Sequence, residues 1–138
     1  MPAPFTVVQI DHVVLRTADP ARLEAFYVNV VGCPVEKRQE KIGLTQLRAG
    51  RALIDIVAIA PEQAATAQGG SATGNMDHLC LRIDPFDGEA VRRHFSAHGV
   101  TVGDVVTRYG AEGSGPSIYL EDPEGNRIEL KGPPAAAS

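Results

Sequence analysis

The chain repeats itself. Ile10-Asp11-His12-Val13-Val14-Leu15-Arg16 returns as Met76-Asp77-His78-Leu79-Cys80-Leu81-Arg82, with His12 and His78 in register. A repeat of nearly half the chain limits the fold to two like modules that share one core. The segments after each copy also recur. Asp19-Pro20 and Asp84-Pro85 read as turns into helices. Leu23, Phe26, Tyr27 and Val30 stand at helical spacing, as do Val91, Phe95 and, more weakly, His98. Gly32 and Gly99 are the expected left-handed stops. Strand-like runs come next at Val35–Lys37, Gly43–Leu47 and Ala52–Ile59, then at Val105–Thr107, Ser117–Leu120 and Arg127–Lys131. Ala49-Gly50 and Asp122-Pro123-Glu124-Gly125-Asn126 carry turn chemistry. Each half therefore reads βαβββ. The predicted fold is α+β, with tandem βαβββ modules over residues 7–60 and 76–131 building a cup-shaped mixed sheet. Residues 61–75 read as a linker, residues 132–138 as a flexible tail, and Gly110–Pro116 as a mobile loop.

Composition excludes several partners. The 138 residues carry a net charge of −4, have no basic block, and contain 5% aromatics with no Trp. Neither phosphate binding nor base stacking is served by such a chain, so nucleic acid is not an expected partner. No apolar run approaches the ~20 residues of a membrane span. Met1-Pro2-Ala3-Pro4-Phe5 lacks the basic and apolar regions of a signal peptide. Two cysteines, Cys33 and Cys80, make no disulfide framework, and a reducing cytoplasm is the expected setting.

The repeat also pairs chemistry. His12 and His78 occupy equivalent faces of equivalent strands. Asp55, within Ile54-Asp55-Ile56, matches Glu129, within Ile128-Glu129-Leu130. A lone strand histidine is ordinarily a satisfied core or edge residue, and a lone strand acid ordinarily faces water. Four such residues at matched positions point elsewhere. Brought together by a pseudo-twofold axis, two imidazoles and two carboxylates suit a divalent Mn, Ni, Fe or Zn ion.

These residues carry a resemblance. The chain resembles the vicinal oxygen chelate superfamily, which groups glyoxalases, bleomycin-resistance proteins and extradiol dioxygenases. The resemblance spans Val7–Lys131. Its most specific parts are Ile10-Asp11-His12-Val13-Val14-Leu15 and the stretch from Tyr119 through Asp122-Pro123, Gly125-Asn126 and Glu129. Phe26-Tyr27 with Val30-Val31-Gly32 is similar to the family's first helix, with Val at its Leu position. The resemblance implies a cup around a metal, ligands His12, Asp55, His78 and Glu129, and a homodimer that often builds each site from two chains. It also implies a small-molecule substrate whose adjacent oxygens chelate the metal.

The departures select among the family's branches. Glyoxalase-type members carry Glu where this chain has Asp55, one methylene shorter, so Asp55 is a ligand, a base beside the metal, or polar lining. Extradiol dioxygenases place an acidic His before the Tyr, where this chain has Ala111-Glu112-Gly113, which argues against ring cleavage. The leading expectation is a metal-dependent lyase or isomerase. Glu129 or Asp55 moves a proton, and Tyr119 and Arg108 orient the substrate. The alternatives are a protein that sequesters an antibiotic or metabolite, and a fosfomycin-type thiol transferase. Arg16 and Arg82 lie in phase with the ligands and suit an anionic substrate or a strand-end ion pair. Cys80 shares the face of His78 and reads as a small buried residue. His94 and His98, one helical turn apart, read as a solvated face.

Overall fold

The first copy of the repeat becomes strand β1, His12–Thr17, in a computed structural model that describes residues 6–64 and 76–135. Asp19 caps helix α1, Pro20–Ala25, by accepting from the Arg22 amide, with Pro20 pre-set for the first turn. The helix then widens into a π-helical turn, Phe26–Val31. Its C-terminal end is closed by the Gly32 and Cys33 amides, which both donate to the Tyr27 carbonyl at 2.9 and 2.8 Å. Gly32 supplies the left-handed φ of 94° that this closure needs. Strands β2 (Val35–Gln39), β3 (Leu44–Ala49) and β4 (Ala52–Ala58) complete the module.

The second copy has the same plan. After a short helix α2 (Pro61–Ala64) between the copies, it runs through strand β5 (Leu79–Arg82), helix α3 (Gly88–Ala97), and strands β6 (Val106–Gly110), β7 (Gly113–Glu121) and β8 (Arg127–Lys131). The sheets have the orders β1-β4-β3-β2 and β5-β8-β7-β6. In each, the first strand runs parallel to the last and the remaining pairs are antiparallel. The expected βαβββ duplication and its mixed sheets are therefore present.

The Asp84-Pro85 bend leads into α3 as expected, and Asp87 caps that helix through the Glu89 and Ala90 amides. Two local expectations are revised. Gly110–Pro116 is not a loop: Gly110 and Gly113 pair directly, and Gly113–Pro116 lie within β7. The predicted tail is tied to the sheet as far as Ala135, because the Gly132 and Ala135 amides donate to the Pro116 and Ser114 carbonyls at 2.8 and 2.7 Å. Within the predicted linker, Pro61–Ala64 are helical, and residues 65–75 lie outside the described residues. No helix of the described residues is long and apolar enough to cross a membrane.

One apolar cluster draws on both modules, including Leu15, Leu23, Tyr27, Ile54, Ile118 and Ile128. A polar joint accompanies it. The Tyr27 hydroxyl, fully buried, donates to Asp122 Oδ2 at 2.7 Å. Burial is the main reason that the Tyr27 phenol is pushed far above its ordinary range, with the Asp122 charge adding to it. Asp122 also accepts from the Glu124 amide (2.8 Å), the Asn126 amide (2.9 Å) and Asn126 Nδ2 (2.8 Å). One carboxylate thus closes the β7–β8 turn and bolts it to the first module. Glu124, at the tip of that turn, reaches Thr17 and Arg22.

Candidate metal centre

Strand register decides which side chains meet. Val14 stands opposite Asp55 on β4, and Cys80 stands opposite Glu129 on β8. His12 and His78 each sit two residues earlier, on the same faces, diagonal to those acids. The resulting separations are 4.0 Å from His12 Nε2 to Asp55 Oδ2 and 2.9 Å from His78 Nε2 to Glu129 Oε1. On each ring the other nitrogen is held by the preceding residue, Nδ1 to Asp11 Oδ1 at 2.8 Å and Nδ1 to Asp77 Oδ2 at 2.7 Å. A carboxylate that accepts the Nδ1 proton orients the ring and leaves Nε2 as the electron-pair donor, the arrangement of metal-ligating histidines. This donor chemistry fits a divalent first-row ion. The Asp11 hydrogen bond raises the His12 pKa, against the opposing effect of burial. The His78 hydrogen bond lowers that of Asp77, with Arg127 contributing from 3.3 Å.

The two acids are buried between apolar neighbours that cover the other face of the strand. Asp55 accepts from Gln46 Nε2 at 3.3 and 3.4 Å. Glu129 accepts from Ser117 Oγ at 2.6 Å and from the Tyr119 hydroxyl at 2.9 Å. Burial works to raise the Glu129 pKa, but the two hydroxyls and His78 outweigh it and the net shift is downward. Its contribution to stability is thus fully present above the ordinary carboxylate range and is lost as pH falls through the depressed value. Ser117→Ala will move that loss to higher pH, which acid unfolding followed by circular dichroism will read.

Tyr119 is held protonated by its own burial and by Glu129. Its ring lies 5.6 Å from His78, under the Arg127 guanidinium at 4.3 Å and beside Arg108 at 5.9 Å. Arg108 is exposed, donates to the Thr107 carbonyl at 3.0 Å, and bears on the Tyr119 hydroxyl, whose pKa it works to lower. Partial burial and then the Glu129 charge push the Cys80 thiol up to about 11. The thiol is therefore protonated at neutral pH, and the residue as a whole is exposed, not the small buried one expected.

The four expected ligands are present as two pairs. Among the described residues, no group of three or more His, Cys, Asp or Glu side chains is close enough to hold a metal ion. His12 lines a cleft of about 850 Å³ with Leu53 of its own module and Leu79 and Leu81 of the other. His78 and Glu129 line a smaller cleft of about 320 Å³ with Cys80, Arg82 and Lys131. The smaller cleft is the better-formed half, because it holds both partners of the closer pair. Elsewhere, His94 Nε2 lies 2.6 Å from the Val30 carbonyl and its ring packs on His98, which makes it a joint between modules. Arg16 is exposed on β1, whereas Arg82 pairs with Glu112 at 2.8 Å.

Sequence reasoning missed Asp11, Asp77 and Gln46. The repeat contained the signal for the first two, since an Asp precedes the His in both copies. Gln46 and Tyr119 are likewise equivalent, each directly opposite its acid. If His78 holds a divalent ion, Asp77→Ala will weaken its binding by about 10–100-fold with little change in fold stability, because Asp77 is exposed. Competition with a fluorescent chelator measures this.

A family model described as the Glyoxalase/Bleomycin resistance protein/Dioxygenase superfamily matches residues 9–130. Among solved structures, a virulence protein from Salmonella typhimurium is 27% identical with a TM-score of 0.74, covering 94% of this chain and 99% of its own. An integron cassette protein from the mobile metagenome of V. cholerae is 26% identical with a TM-score of 0.72, covering 93% and 97%. Lactoylglutathione lyase from Agrobacterium tumefaciens shares the fold at 20% identity and a TM-score of 0.61, covering 94% and 96%.

Proposed function

The chain belongs to the glyoxalase/bleomycin resistance protein/dioxygenase superfamily, and from that premise we propose that it is a metal-dependent enzyme of the lyase or isomerase type. The observation that carries this reading is the duplicated Asp–His–carboxylate arrangement, in which each ring is aimed by one acid at another. Each pair supplies two protein donors, whereas a firm first-row site takes three or four. A homodimer completes the set, with His12 and Asp55 of one protomer facing His78 and Glu129 of its partner. Val7, Val8, Ile10 and Val14 support this reading. They are large apolar side chains exposed along and before β1, an edge strand that a second copy would cover.

When bound, a Mn, Ni, Fe or Zn ion held by these residues would supply Lewis-acid polarisation to a small oxygenated substrate. Glu129, kept ionised by Ser117 and Tyr119, takes and returns a proton, and Asp55 is the second candidate for that work. The Tyr119 hydroxyl donates to oxygen at the same place, and Arg108 beside its ring orients the substrate. The free Cys33 and Cys80 suit the reducing cytoplasm that we assign to it.

The test is turnover of 2-oxoaldehydes, epoxides and vicinal diols by protein reconstituted with each of the four metals. Turnover of one class that is lost on chelation and restored by metal supports the proposal. Tight binding of a compound from these classes by metal-free protein, with no turnover under any loading, would make the cup a sequestering site instead.

A further inference from the structure

Lys131 does something that the fold does not require. It lies two residues after Glu129 on β8 and shares its face, yet it is only 6% exposed. Strand register makes Val57 its counterpart in the first module, opposite Arg16 as Lys131 is opposite Arg82. The same strand position is thus filled by a small apolar residue in one copy and by a buried ammonium in the other. Burying that charge is costly unless an anion or several acceptors meet it. Lys131 Nζ donates to one acceptor, the Arg108 carbonyl at 2.8 Å. Among the described residues, no carboxylate oxygen lies within 4.0 Å of it.

The surrounding chain is arranged to admit this side chain. A Cβ on Gly110 would lie 2.5 Å from Lys131 Cε, and one on Gly115 would lie 3.2 Å from Nζ. The side chain therefore crosses β7 and reaches β6 over positions that carry no side chain. It lines the same cleft of about 320 Å³ as His78 and Glu129, with Arg82 opposite it on β5. The cleft also holds Glu112, which pairs with Arg82 at 2.8 Å, so among the described residues Lys131 is the cation of this cleft without a carboxylate partner.

We propose that Lys131 is an anion subsite, which binds a carboxylate, phosphate or phosphonate group carried by the substrate at its end away from the metal. The inference rests on the reading of His78 and Glu129 as metal ligands and narrows the substrate class to small oxygenated acids. The anion is held about 6.6 Å along the strand from Glu129, so it is a separate contact from the oxygens on the metal. Lys131 recognises charge, and Arg82 joins it if the substrate displaces Glu112.

The test uses the full chain with ¹³C-labelled lysine. Its three lysines, Lys37, Lys41 and Lys131, give three Cε signals, of which two are internal controls. Methylphosphonate and acetate are titrated, with dimethyl methylphosphonate as the uncharged control. The expected result is a saturable shift of the Lys131 signal alone with both anions and none with the ester. Lys131→Met will weaken methylphosphonate binding, read by ³¹P line broadening, by at least about tenfold. Gly110→Ala will weaken it too, by displacing Lys131 without altering its charge. Zn(II), which is diamagnetic, is the metal loaded, and its stoichiometry is measured on the same samples. Retained metal with no shift of Lys131, or equal linear shifts of all three lysines, overturns the subsite and leaves the metal reading standing. A saturable Lys131 shift in protein that takes up no metal overturns the metal reading and keeps the anion site.

Discussion

Asp122→Ala will cost the protein about 3–4 kcal/mol of folding stability. The reason is the number of donors that converge on one buried carboxylate. The Glu124 and Asn126 amides, Asn126 Nδ2 and the buried Tyr27 hydroxyl all lose an acceptor together. A buried donor left without a partner costs about 1–3 kcal/mol, and the amides at the turn can recover part of this by turning to water. The Tyr27 hydroxyl has no such recourse, because its residue is wholly enclosed. Tyr27→Phe removes that donor as well as its bond and is expected to cost about 1–2 kcal/mol. In the double variant the loss will be smaller than the sum, with a coupling of about 1 kcal/mol or more. Urea denaturation of the four proteins measures the cycle. A loss below about 1 kcal/mol for Asp122→Ala would show that the turn and the joint between modules are held by apolar packing instead.

If His78 and Glu129 hold a metal as proposed, Glu129→Gln will weaken that binding by at least about a hundredfold, since even the groups that merely orient a ligand are worth about 10–100-fold. An amide is a poor ligand for a first-row ion, and its N–H₂ would face two hydroxyls that now donate to Glu129. Turnover falls with the metal. Asp55→Asn is expected to cost less, about tenfold, because Asp55 stands 4.0 Å from His12 Nε2 where Glu129 stands 2.9 Å from His78. Chelator competition ranks the two variants. An Asp55→Asn effect equal to or larger than that of Glu129→Gln would place the stronger half of the site in the first module.

The duplication was legible because it rests on period and spacing. His12 and His78, Asp55 and Glu129, and the stops at Gly32 and Gly99 all fall at matched positions. All but His78 are found on their expected elements, and His78 directly precedes β5, which begins at Leu79. The β6–β7 hairpin was not legible, because Gly110, Gly113, Gly115 and Pro116 read locally as a loop. Two of those glycines sit under the Lys131 side chain, a long-range demand that local propensity does not register. The same limit applied to the site. Matched positions say that two pairs are equivalent, but they do not say whether one chain or two brings the pairs together. Strand pairing fixes each pair within its own sheet, and the meeting of the sheets depends on surfaces such as the exposed apolar run before β1.

Complementation between two defective chains tests that meeting most directly. One chain carries His12→Ala and Asp55→Ala, the other His78→Ala and Glu129→Ala, and neither alone should hold metal. Unfolded and refolded together, they form mixed dimers in which one site has every ligand broken and the other has none broken. Statistical pairing makes half the dimers mixed, so the mixture should recover about a quarter of the wild-type metal content. Elemental analysis after reconstitution gives the number. Recovery near a quarter is the predicted result, and it would establish a metal centre shared between two copies. No recovery in a mixture shown to contain mixed dimers would contradict it.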